Sequence, residues 1–255
     1  MTLFRVAFAL VAVVVGAAAA GAQEKWALPQ ASFETRLGGS KIEIDYDLTW
    51  WSRSDGVKYH VAVNLRDVRS ALRRRMTKFR SVTECGDSFR VKTSGIEINE
   101  ETAVMWATVS YEHYDCITLK VPNFTGLKVE TREKVARTRA FGDTKRFCVE
   151  FKPRVISDSV QITKDRRCPD AKSGTKTILP SGARRLVNGF YDFADDVEDM
   201  LEDDLDRALL DEFDEIDSNR AGFEKSRTGD PVFVTTGFGS LDRRGVIALR
   251  RRSSK

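Results

Sequence analysis

The sequence is poor in the residues that build metal centres and small cross-linked scaffolds. Its 255 residues hold two histidines and four cysteines, which excludes a His-rich metal site and a Cys-rich miniprotein fold. The common catalytic templates are missing as well. There is no H-E-x-x-H, G-x-S-x-G, G-x-x-x-x-G-K-[ST], C-x-x-C-H or C-x-x-C. Zinc peptidase, α/β-hydrolase, P-loop, haem-attachment and dithiol chemistry therefore have no basis in the sequence. The nearest hit, Ser173 and Lys176 in an S-x-x-K spacing, overlaps a K-S-G box inside one polar stretch and reads as a loop. Long apolar runs are absent beyond the first 20 residues, and 41% hydrophobic with 31% charged residues excludes collagen-like, mucin-like and wholly disordered chains.

At the N-terminus, Arg5 precedes a run over 6–20 without a charged residue, and Ala20-Gly21-Ala22 supplies small residues for cleavage. A run this short falls below the roughly 20 residues of a spanning helix, so residues 1–22 read as a signal peptide cut near Ala22. The expected product is exported, periplasmic or secreted, with residues 23–255 forming a single domain. Removing Arg5 from the net +4 leaves +3.

In an oxidising compartment an even set of cysteines pairs. Strands over 89–98 and 103–111 about a turn at 99–102 form a hairpin whose facing positions add to 201, as Cys85 and Cys116 do. A second hairpin, 147–156 with 160–164 about a turn at 157–159, has facing positions adding to 316, as Cys148 and Cys168 do. In that register Glu150 faces Arg166 and Lys152 faces Lys164, an objection in the second case. The expected disulfides are Cys85–Cys116 and Cys148–Cys168, each worth about 3 kcal/mol by the chain-entropy argument.

Elsewhere, 23–40 reads as a loop-like lead-in. Ile42, Ile44, Tyr46, Leu48 and Trp50 alternate with polar residues, as do Val57, Tyr59, Val61, Val63 and Leu65 beyond a turn. They predict a hairpin with Trp50 opposite Tyr59 and Leu48 opposite Val61. Leu65, Val68, Leu72, Met76 and Phe79 then switch to helical spacing, and Arg66, Arg69, Arg73, Arg74 and Lys78 crowd the other faces. Such a basic helix suits an anionic membrane or a polyanion, although a solvated outer face has the same pattern. Short strands are expected near 117–121 and 127–130, with an N-x-T acceptor at Asn123. The stretch 169–180 reads as a loop, and a last hairpin is expected over 231–250.

The most distinctive segment is acidic. Phe190, Phe193, Val197, Leu201, Leu205, Leu209 and Phe213, with Leu186 and Ile216, recur every three or four residues. They predict one amphipathic helix over 181–221, roughly 50 Å long, with Gly189 as a possible kink. From 192 to 217 there are 14 carboxylates and one cation, Arg207, so the rest of the mature chain carries about +16. Residues 211–217 lack the glycine and alternating oxygens of an EF-hand, and His60 and His113 lie on different hairpins. No metal or cofactor is expected, and export with so acidic a helix argues against nucleic acid.

The expected fold class is α+β: antiparallel sheet built from disulfide-clamped hairpins over 41–168, a short basic helix, and a long acidic helix packed on the sheet. In plan this resembles the tubular lipid-binding proteins, where a curved sheet wraps a long helix. The leading expectation is a non-enzymatic envelope protein holding an apolar or lipid-like ligand between sheet and helix, through Phe190, Phe193, Val197, Leu201, Leu205, Leu209 and Phe213. The alternative is an envelope scaffold docking its acidic helix on a basic protein partner. A hydrolase with a carboxylate pair ranks last, since sequence cannot choose a pair among 38 acids. A large apolar cavity under the helix would favour the first reading, and a filled core with an exposed apolar patch the second.

Overall fold

The computed structural model describes residues 25–53, 56–81, 85–125, 128–166, 168 and 181–241. The signal-like segment, the loop expected at 169–180 with Ser173 and Lys176, and the part of the last expected hairpin beyond residue 241 lie outside these residues. Within them the chain is α+β and mostly antiparallel strand, in two five-stranded sheets rather than one.

The first sheet has the order β1-β2-β3-β10-β9. Strand β2 (Ser40–Arg53) pairs with β3 (Gly56–Asn64) in the expected register, Trp50 opposite Tyr59 and Leu48 opposite Val61. The supposed lead-in is in fact β1 (Lys25–Leu37), paired along β2. Its signal is weak because Pro29 falls in a register shift between Leu28 and Ala31. The link is the pair Gly38-Gly39, both at positive φ (59° and 75°), as a tight two-residue hairpin demands.

Helix α1 (Arg66–Lys78) follows, burying Val68, Ala71, Leu72 and Met76. The second sheet has the order β4-β5-β6-β7-β8. Short β4 (Arg80–Ser81) lies on β5 (Gly86–Asn99). Strand β5 pairs with β6 (Thr102–Thr125) in the 201 register next to the turn, and a bulge between Val91 and Thr93 moves it by one farther out. The Cys85–Cys116 disulfide still closes, with Cα atoms 5.5 Å apart. The short strands expected near 117–121 and 127–130 are parts of far longer ones, β6 and β7 (Lys128–Ile156). Strand β8 (Ser159–Asp165) pairs with β7 one residue away from expectation, because the turn is two residues, Ser157 and Asp158, both at positive φ. Glu150 thus faces Asp165, and Lys152 faces Thr163, which removes the lysine–lysine clash. Cys148 and Cys168 are joined as expected.

The acidic segment forms α2 (Ser181–Asp199), a π-helical turn (Met200–Asp204) and α3 (Leu205–Leu210), and there the helix stops, eleven residues short of 221. Phe213 closes the last turn, stacked on Tyr59 at 5.6 Å. The Asp214 N–H then donates to the Ser240 carbonyl (2.9 Å), steering the chain into β9 (Glu215–Lys225). Ile216 therefore lies on a strand, not on the helix stripe. Gly189 makes room rather than a kink: a Cβ there would lie 2.4 Å from the Phe79 ring. Strand β10 (Pro231–Ser240) fits between β9 and β3, so the last described hairpin is β9–β10.

The core lies between the sheets. Trp50, Tyr59, Phe223 and Phe233 of the first meet Met105, Val149, Phe151 and Ile162 of the second, with the helix stripe and α1 among them. The two sheets also touch end on. The Ser218 N–H donates to the Asp158 carbonyl (2.7 Å) and the Phe223 N–H to the Glu101 carbonyl (3.2 Å). The hairpin turns of the second sheet thereby cap the outer edge of β9, an edge that would otherwise be open to another chain.

Candidate functional site

The stripe expected to line a ligand site is packed. Phe190, Phe193, Val197, Leu201, Leu205, Leu209 and Phe213 are all buried in the main core cluster. At roughly 1.5–3 kcal/mol for each large side chain, they are principal contributors to stability. The cleft that opens beside the helix, about 410 Å³, is lined by Glu34, Thr35, Arg36, Lys41, Asp196, Asp199 and Asp204, a charged wall rather than an apolar one.

The acidic face has work inside the molecule. It lies between an edge of each sheet, and its carboxylates accept hydrogen bonds those edges offer. The Gly38 N–H donates to Asp196 Oδ2 (2.6 Å), and the Ile162 N–H donates to Glu202. Lys164 of β8 pairs with both Asp195 and Glu198. Burial presses the Lys164 pKa down, but the two carboxylates outweigh it and the net shift is upward. Burial also raises Asp196 and Glu202. Asp206 goes furthest, to about 6, through burial first and then the charges of Asp203 and Glu202.

Apolar surface left in solvent concentrates elsewhere. Strands β6 and β7 keep pairing past the end of β5 at Gly86–Tyr114, as far as Thr125–Lys128, while β8 joins β7 only from Glu150 inward. The result is a two-stranded arm. Along β6 the core-facing residues Met105, Ala107 and Val109 are followed by Tyr111, His113, Asp115, Ile117 and Leu119, so the inner face of the second sheet runs off the body of the molecule uncovered. Ile117 is 61% exposed, Leu119 48% and Phe141 53%. The opposite face carries Arg137, Arg139 and Lys120, with the exposed Val135 among them.

The arm is anchored at its base. Asp87 Oδ1 accepts from the Tyr111 hydroxyl (2.5 Å) and pairs with His113 Nδ1 (2.7 Å). His113 Nε2 lies 3.4 Å from Asp115, and its ring stacks on Phe141 at 5.2 Å. The hydrogen bond to Asp87 raises the His113 pKa, and Tyr111 and His113 together lower that of Asp87. Burial, then Asp87, pushes Tyr111 up to about 12. On the other face Arg139 bridges Glu112 (3.3 Å), and the Arg137 guanidinium sits 3.3 Å from the centre of the Tyr114 ring. The Cys85–Cys116 disulfide crosses the same level. This cluster ties β5 to both strands at the base of the arm.

The other expected residues are dispersed. Arg66, Arg73, Arg74 and Lys78 are exposed on α1, while Arg69 is turned inward onto Asp230 (2.6 Å). His60 lies in the first sheet opposite Thr49, apart from His113. Among the described residues no group of three or more His, Cys, Asp or Glu could hold a metal ion, and no helix is long and apolar enough to cross a membrane. Sequence reasoning missed the arm. Its signal was a long stretch of strand-compatible residues with no buried-face alternation, between two cysteines already assigned to clamps. Comparison with protein-family models, with curated proteins and with solved structures finds no match to this chain.

Proposed function

We infer that this chain is an exported, non-enzymatic docking protein whose contact element is the β6–β7 arm. The observation carrying this reading is the inner face of the second sheet continuing, uncovered, through Phe141, Ile117 and Leu119. A body with a filled core gains nothing from extending two strands into water with apolar side chains on one face; a body that docks there does. Two disulfides, one across the base of the arm, suit an oxidising, exported setting. The acidic helix is a poorer contact element, since Asp195, Asp196, Glu198 and Glu202 already serve the two sheet edges. The ligand reading has no comparable support, because the stripe it needs is covered by protein.

Site-specific photo-crosslinking in the host envelope tests this. A photoreactive side chain at Leu119 should give discrete adducts, to protein or to lipid, whereas one at Lys41 on the far side should give none. Equal, diffuse labelling at both positions would overturn the reading.

A further inference from the structure

We propose that the surface taken by the arm is a bilayer bearing anionic headgroups, which the protein meets with the apolar face of the arm and a continuous band of cations leading to it. The inference rests on the docking reading above and names its partner. The band begins on α1, whose outward residues Arg73, Arg74 and Lys78 are exposed; Asp67 is the only acid on that helix. It continues where β4 meets β5, for Arg80 sits directly opposite Arg90. Like charges facing across two strands repel, and among the described residues neither makes a salt bridge. The next step is Glu112, whose pKa is lowered first by the Tyr114 hydroxyl and then by Arg139, Arg90 and Arg137. One carboxylate thus lies amid three guanidiniums and joins the body of the band to the arm.

The arm repeats this separation in part: Ile117, Leu119 and Phe141 lie on one face, interrupted by Asp115, and Arg137, Arg139 and Lys120 lie on the other, which also holds Val135. A ribbon so divided has the design of an amphipathic helix that lies in the interfacial plane, apolar side chains toward the acyl boundary and cations among the headgroups. A surface carrying many fixed negative charges suits a row of cations spread over two secondary-structure elements and the arm.

Co-sedimentation of the full protein with vesicles decides the matter. Vesicles of phosphatidylcholine plus phosphatidylglycerol should retain the protein, phosphatidylcholine alone should not, and added sodium chloride should weaken retention. At roughly fivefold per cation, the R74E/K78E variant should partition on the order of 25-fold more weakly with an unchanged melting temperature. The I117S/L119S variant should bind at low salt and be washed off at physiological salt. The proposal fails if phosphatidylglycerol vesicles leave the protein in solution, if both vesicle types retain it equally, or if the charge-reversed variant binds like the parent. It also fails if inorganic phosphate releases the protein beyond the effect of sodium chloride at equal ionic strength, because the site would then belong to a free anion. Discrete protein adducts at Leu119 without vesicle binding would sink the lipid partner yet leave the docking reading standing.

Discussion

The acidic helix and the β6–β7 arm are both amphipathic, and they end in opposite situations. The helix turns every apolar residue from Phe190 to Leu209 on its stripe into the core and places its carboxylates against two sheet edges. Among the described residues the arm keeps Ile117, Leu119 and Phe141 in water and is braced at its base by Asp87, Tyr111, His113 and a disulfide. Amphipathicity alone therefore does not tell a structural element from a contact element. What separates them is whether the fold supplies a second surface. Here the helix has two sheets, and the arm has none.

Substitutions should break this contrast unequally. Leu201→Ala, in the middle of the helix, is expected to cost about 3 kcal/mol in urea unfolding, because it opens a cavity the two sheets cannot close. Leu119→Ala on the arm should stay within about 0.5 kcal/mol in the same experiment. A large cost at Leu119 would mean that the arm folds back on the body. Asp206→Asn should stabilise. The folded aspartate titrates near 6 against an ordinary 3.8, so the native state binds this proton more tightly. The aspartate then costs nothing below about pH 4, costs progressively more as pH rises, and reaches its full cost above about 6, at most about 3 kcal/mol. The gain from asparagine should follow that profile; a gain independent of pH would refute burial as its source. Glu202→Ala should lose about 1–2 kcal/mol by leaving the Ile162 N–H at a half-buried edge without its acceptor.

The smallest effect on stability, and the sharpest on the arm, comes from Asp87→Asn. His113 should titrate above 6.5 in the parent protein by NMR and return toward that value in the variant. Since its folded pKa is raised, whatever His113 contributes to bracing the arm is complete below 6.5 and fades as pH rises through the shifted value. An unchanged titration would remove Asp87 from the brace.

What the sequence made legible was whatever has one wet and one dry side. The β2–β3 register, α1, the helical stripe and both disulfides follow from alternation, helical spacing and hairpin arithmetic. The disulfide pairings survive although each register moves by one, because a bulge at Lys92 and a two-residue turn at Ser157-Asp158 cost a single step that a cysteine pair tolerates. The helix end was hidden for a specific reason. Phe213 and Ile216 continue a three-residue spacing, yet Ile216 is equally at home on a strand, and the hydrogen bond from Asp214 to Ser240 that makes the choice joins distant parts of the chain. The arm was illegible because its alternation is broken, Asp115 interrupting the apolar face and Val135 the basic one, and no local pattern tells a strand that leaves the sheet from one within it. The second sheet escaped notice because no local pattern says where a hairpin's flat face will lie.

The first sheet is stitched from both ends of the chain, since β10, the neighbour of β3, begins 167 residues after β3 ends. A chain delivered N-terminus first presents β1, β2 and β3 well before the strand that completes their sheet. Throughout that interval β3 has a bare edge and Tyr59, Val61 and Val63 lack their cover. Final closure thus waits for β10, and a chain cut short before residue 231 keeps a bare β3 edge, an aggregation-prone seam.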